Sequence, residues 1–164
     1  MTGGVEELAR ELGWRIPDPP SPQGSYLPWT IHGNMVFTSG MGPLRDGKRA
    51  FVGRVGENIS LDEAQVAARL CVLSGLGSLR AAIGGLDRVE RILRITGYVR
   101  VAEGFVEIGK VLDGASDVLV HLFGERGRHV RTAVGVCELP FAIPVEVDLV
   151  AAVRPESAQG GDAI

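Results

Sequence analysis

The stretch "SLDEAQVAARLCVLSGLGSLRAAIGG" (Ser60–Gly85) constrains this chain more than any other. Ser60 and Glu63 form an S-x-x-E capping box, in which each side chain satisfies a free backbone N–H at a helix start. Ala64, Ala67, Ala68, Cys71, Val72, Gly75, Leu79 and Ala82 then recur at three- and four-residue spacing, which predicts a helix over Leu61–Ile83. Gly84-Gly85 stops it. Such a helix must bury its apolar stripe against a second layer.

The flanking patterns say what that layer is. "WTIHGNMVFTSG" holds two short β-rich runs about His32-Gly33-Asn34, and Asp46-Gly47 marks a second hairpin. "VERILRITGYVRVA" alternates as a strand, and a second helix is expected over Phe105–Phe123, interrupted near Asp113-Gly114 and ended by Gly124. The last patterned stretch, "HVRTAVGVCELPFAIPVEVDLVA" (His129–Ala151), reads as two strands joined by a Pro-marked turn into a closing hairpin. The order β-β-α-β-α-β-β suits a mixed sheet with two helices packed on one face, an α+β fold. Before it, Val5–Leu12 has helical spacing, and "IPDPPSPQGSYLP" is an extended, proline-rich loop. Three segments result: an N-terminal helix and Pro-rich extension over 1–22, one domain over 23–153, and a polar tail over 154–164 expected to fray.

Composition narrows the function. At 164 residues the chain can bury a core without disulfide or metal staples. Its net charge of −3 and 5% aromatic content disfavour RNA binding. Cys71 and Cys137 lie in no CxxC or Cys/His cluster, so no metal is expected, and both read as packing residues. His32, His121 and His129 have no triad or metal spacing. Ser39 lies in "FTSGMG", not in a nucleophile elbow, and no phosphate-binding glycine loop occurs. No apolar run of bilayer length and no leader pattern stand out, so a cytoplasmic setting is the simplest expectation.

One constellation remains. Arg131 starts the first strand of the closing pair, and Glu146 with Asp148 lies in the second. An exposed cross-strand ion pair explains Arg131 and Glu146 as well as a site does. In the functional reading, the guanidinium fork grips a carboxylate while the glutamate positions or deprotonates a water.

The segments "SYLPWTIHGNMVFTSGMGPL", "VGENISLDEAQVAARLCVLSGLGSL" and "RHVRTAVGVCELPFAIPVEVDLVA" together resemble the Rid family, the YjgF-like reactive intermediate deaminases also called endoribonuclease L-PSP proteins. The resemblance runs from about Ser25 to Val153. It implies a chorismate-mutase-like α+β fold and a homotrimer with clefts between subunits. It also implies cofactor-free hydrolysis of small 2-imino and enamine acids, such as 2-aminoacrylate, to 2-keto acids and ammonia. On these residues, Arg131 matches the arginine that holds the substrate carboxylate and Glu146 the carboxylate at the hydrolytic water. Tyr26 matches the tyrosine of the N-terminal loop, and Ser39-Gly40 the pair that closes a strand against the ligand. Ala133 stands where many members have a cysteine, Met41 lies at the cleft mouth, and Asp113 or Gly114 falls where active members often have an asparagine. A non-catalytic trimer binding a carboxylate metabolite is the alternative, and a ribonuclease the third reading. The small carboxylate-bearing substrate is the expected partner; membrane and nucleic acid are not.

Overall fold

The computed structural model describes residues 4–155. Most of the predicted polar tail, residues 156–164, lies outside the described residues.

The elements run α1 (Val5–Glu11), β1 (Trp29–His32), β2 (Met35–Thr38), β3 (Leu44–Arg45), β4 (Lys48–Arg49), α2 (Leu61–Ile83), β5 (Val89–Arg100), α3 (Ile108–Phe123), β6 (Val130–Val136) and β7 (Val145–Val153). Five strands make one sheet in the order β1-β2-β7-β5-β6, and β3 and β4 form a second, two-stranded sheet. Strands β5 and β6 are parallel, joined by the crossover helix α3, and the other pairs in the sheet are antiparallel.

Helix α2 starts as its sequence dictates. The Ser60 hydroxyl accepts from the Glu63 N–H at 3.2 Å, and Glu63 Oε2 accepts from the Ser60 N–H at 2.9 Å. Gly84, left-handed with φ 81°, ends the helix. Every residue from Cys71 to Leu79 is buried, because the sheet covers one side and the N-terminal segment another. A helix of 23 residues with mean hydropathy 1.5 in its most apolar window is long and apolar enough to cross a membrane by length and composition. Here that character belongs to a core helix, 67% buried over that window.

Helix α3 corrects one expectation: it starts at Ile108 and runs unbroken through Asp113-Gly114. Gly114 is there for helix packing. A Cβ on it would stand 2.8 Å from the Gln65 carbonyl carbon, so α2 and α3 touch backbone to backbone.

The closing hairpin is a second correction. Strands β6 and β7 do not pair; β5 lies between them, parallel to β6 and antiparallel to β7. A short turn between two strands fits a hairpin, but the α3 crossover sets β6 on the outer edge of β5. Val145, Val147 and Leu149 are buried under the helices. Alternation puts Glu146, Asp148 and Val150 on the uncovered face, beside Thr96 and Tyr98 of β5 and Val130 and Val134 of β6.

Candidate functional site

Glu146 is half-buried on the uncovered face, opposite Tyr98 of β5. Residues 39–42 bring the chain past it: Met41 exchanges two backbone hydrogen bonds with Val147, at 2.9 and 3.0 Å. Gly40 is thereby pressed on the carboxyl group, and a Cβ at this position would lie 2.7 Å from Glu146 Cδ. Only a residue without a side chain leaves the carboxylate where it is. The cleft around it has a volume of about 620 Å³, and its lining includes Tyr26, Gly40, Met41, Arg49, Phe141 and Glu146. Burial, and secondarily the neighbouring Asp148 charge, push the Glu146 carboxyl above its ordinary range. Asp148 is also raised, mainly by burial, against hydrogen bonding to Thr96 and attraction to Arg94.

The cleft lining also contains two residues that the sequence does not advertise, Arg49 and Phe141. Phe141 and Ala142 both have positive φ, 58° and 56°, a conformation uncommon for residues with side chains. It turns the Phe141 ring under the Arg49 guanidinium, 3.7 Å from its centroid. The two-residue turn Asp46-Gly47, also left-handed, is what folds β4 back to place Arg49 there. Doublets such as Asp-Gly carry that signal; nothing in "LPFAIP" marks the Phe141 backbone in advance.

Ser39 has a different task from the rest. Its hydroxyl donates to the Leu27 carbonyl at 2.6 Å, and its N–H to Pro28 at 3.0 Å, tying β2 to the loop that carries Tyr26. It does not line the Glu146 cleft among the described residues. Tyr26 is exposed, and its hydroxyl accepts from the Gln23 N–H at 3.3 Å.

Arg131 lies elsewhere. It sits on the edge strand β6 in register with Ile95, on the helix-covered face. Its Nη1 donates to Asp113 Oδ1 at 2.8 Å and to Ser116 Oγ at 3.1 Å, both from α3. Of Asp113 and Gly114, therefore, Asp113 faces the arginine. The Ser116 hydroxyl is also 3.1 Å from His129 Nε2, and His129 Nδ1 is 2.6 Å from the Gly127 carbonyl. Since a carbonyl only accepts, Nδ1 carries the proton and neutral Nε2 accepts from Ser116. Burial, and secondarily the Arg131 charge, lower the His129 pKa against the pull of that carbonyl. Ala133 follows on the same edge, exposed and opposite Gly97.

Within one chain, Arg131 and Glu146 thus point to opposite faces of the sheet, two strands and three residue steps apart, about 14 Å between Cα atoms. The exposed cross-strand ion pair is excluded by this placement. Cys71 is a core residue whose Sγ donates to the Val145 carbonyl at 3.3 Å, with burial raising its thiol well above the ordinary value; Cys137 is exposed. Among the described residues, no group of three or more His, Cys, Asp or Glu could hold a metal ion.

A single α+β layer pair, with a half-buried carboxylate cleft at one sheet end and an oriented guanidinium on the far edge strand, defines the class of protein. Residues 8–153 match the family described as "YjgF/chorismate_mutase-like, putative endoribonuclease", and the chain belongs to it. Protein TCP17 of Trypanosoma cruzi is 37% identical over 148 residues, covering 90% of this chain and 92% of that one. The crystal structure of Atu1372 from Agrobacterium tumefaciens is 37% identical with TM-score 0.87, covering 92% of each chain. A Shewanella oneidensis structure is 33% identical with TM-score 0.89, covering 92% of this chain and all 100% of that one.

Proposed function

We propose that this protein hydrolyses small 2-imino acids to 2-keto acids and ammonia, in sites that each combine Arg131 of one copy with Glu146 of another. The observation that carries this is the opposed placement of the two residues. Each is oriented by its own surroundings, yet one chain cannot direct both at a single ligand. Family members are generally small-molecule-binding homotrimers, and a trimer can bring the β6 edge of one copy to the cleft of its neighbour. The exposed Val130, Val134 and Phe37 give such an assembly apolar surface to bury.

The chemistry needs little more. The guanidinium of Arg131 holds the substrate carboxylate, presenting an imine carbon that is already electrophilic. Glu146 takes a proton from water as the oxygen bonds to that carbon, giving a carbinolamine. That proton is returned to the nitrogen to complete the amino group; Glu146 then carries the hydroxyl proton to the same nitrogen, and the C–N bond breaks as the C=O forms and ammonia leaves. Burial suits Glu146 to this exchange, because a carboxylate with a raised pKa is a stronger base once ionised. A cytoplasmic setting, where amino-acid metabolism generates such imines, accords with this reading.

One observation favours a non-catalytic carboxylate-binding trimer as the second reading. Asp113 occupies Nη1 of Arg131 and offsets its charge, which weakens the grip on a substrate. Generating 2-aminoacrylate in a coupled assay and timing pyruvate release separates the two. Acceleration by wild type that is lost in Glu146→Gln supports hydrolysis, and no acceleration leaves binding alone.

A further inference from the structure

We propose that the proline-rich segment 17–23 roofs a second ligand site, which adjoins the Glu146 cleft across Pro20, Ser21 and Gln23, for a small amphipathic anion: a carboxylate carried on an apolar body. The segment is fastened along α2. Arg80 of α2 donates to the carbonyls of Ile16 and Pro17, at 3.4 and 3.2 Å, and pairs with Asp18 at 2.9 Å. Gly77 lets the segment lie on the helix, since a Cβ there would stand 3.2 Å from the Pro17 carbonyl carbon. At the far side, Arg15 pairs with Asp46 in the β3–β4 turn at 2.6 Å. Between these ties is a cavity of about 810 Å³, a volume suited to a small organic ligand.

The walls specify the ligand's chemistry. Trp14, Leu70, Leu73 and Pro17 supply apolar surface. Two carboxylates line the cavity, and each already has a partner: Asp46 has Arg15, and Asp18 has Arg80. Two cations line it with no carboxylate among the described residues: Arg45, and Arg69, whose guanidinium lies 5.7 Å over the Trp14 ring. A half-buried arginine stacked on an aromatic face keeps its hydrogen-bond donors free in the plane of the fork. The cavity therefore carries an excess of two positive charges beside apolar surface, which selects an anion with an apolar body over a neutral or cationic one. The site stands whether or not the protein hydrolyses imines.

Calorimetric titration of the full-length protein with 2-naphthylacetate and its neutral isostere 2-naphthylacetamide tests this. The acid should bind, and the amide should bind at least about tenfold more weakly. Arg69→Met, which keeps the apolar stem, should weaken the acid by roughly ten- to hundredfold and leave the amide unchanged. Quenching of indole fluorescence by the acid should disappear in Trp14→Phe. Equal binding of acid and amide, acid affinity unaltered in Arg69→Met, or no binding at millimolar concentration would overturn the proposal. If Arg69→Met fails to fold, the same acid-to-amide comparison made on Arg131→Met protein decides, because Arg131 is the other group here that takes a carboxylate.

Discussion

Gly40 and Glu146 are fitted to one another: the space a Cβ on Gly40 would fill is already taken by the Glu146 carboxyl group, 2.7 Å away at Cδ. The obstacle is the end of a flexible side chain, not backbone, so Gly40→Ala should fold with a melting temperature near wild type. Its carboxylate must swing aside, and displacement by an ångström costs a positioned catalytic group on the order of a hundredfold in rate. Paired melting and turnover measurements check this; an active Gly40→Ala protein would mean that Glu146 has no fixed working position.

Asp113 restrains Arg131 at the cost of its charge. Asp113→Asn keeps an oxygen to accept from Nη1 and removes the negative charge. A carboxylate ligand at Arg131 should then bind roughly three- to tenfold more tightly, the effect of about 1 kcal/mol expected for a charge at this separation near water. Arg131→Lys should weaken the same ligand, because an ammonium cannot form the planar two-bond contact. Titration of pyruvate into the three proteins measures both.

The raised carboxyls set the pH dependence. Activity should climb with pH as Glu146 ionises, with a midpoint above the ordinary glutamate value of 4.5. Asp148→Asn should lower that midpoint only in part, since burial is the larger cause. Both groups bind protons more tightly folded than unfolded, so their contribution to stability is full below about pH 4 and is lost as pH rises through the folded values. Glu146→Gln should therefore be more stable than wild type at neutral pH. His129 has the opposite sign: its pKa falls on folding, so its contribution is lost as pH drops below about 6.5. Denaturation midpoints across pH for wild type and Glu146→Gln give the comparison.

Gly114 supports the helix pair. Gly114→Ala would drive a methyl into the Gln65 backbone, which cannot rotate away, so α3 must lift from α2. Overpacking of this kind costs roughly 1–3 kcal/mol. Chemical denaturation should show that loss, whereas a mutant as stable as wild type would mean that the helix contact is looser than its geometry.

Those residues also mark what the sequence makes legible. The capping box and apolar spacing of α2 are local signals, and they locate Leu61–Ile83 to the residue. Alternation in "VEVDLVAAV" is likewise local, and it separates Val145, Val147 and Leu149 from Glu146 and Asp148. Strand partnership is not local. The turn between β6 and β7 looks like any hairpin turn, and only the α3 crossover, closing through long-range packing, inserts β5 between them. Gly114 shows the same limit, because its neighbour Gln65 lies on another helix, far away in the chain. For the cleft, family resemblance singles out Glu146, Gly40 and Tyr26, while the left-handed Phe141 and the cations of β4 emerge only with the backbone's course.

Subunit mixing asks whether the arginine and the glutamate of one working site come from different copies of the chain. Arg131→Met and Glu146→Gln proteins, each inactive alone, are unfolded together in equal amounts, refolded into mixed trimers and assayed for pyruvate release from 2-aminoacrylate. Random assembly leaves about one site in four with both native residues, so about a quarter of wild-type activity should return. Mixed trimers that remain as inactive as either parent would contradict the shared site.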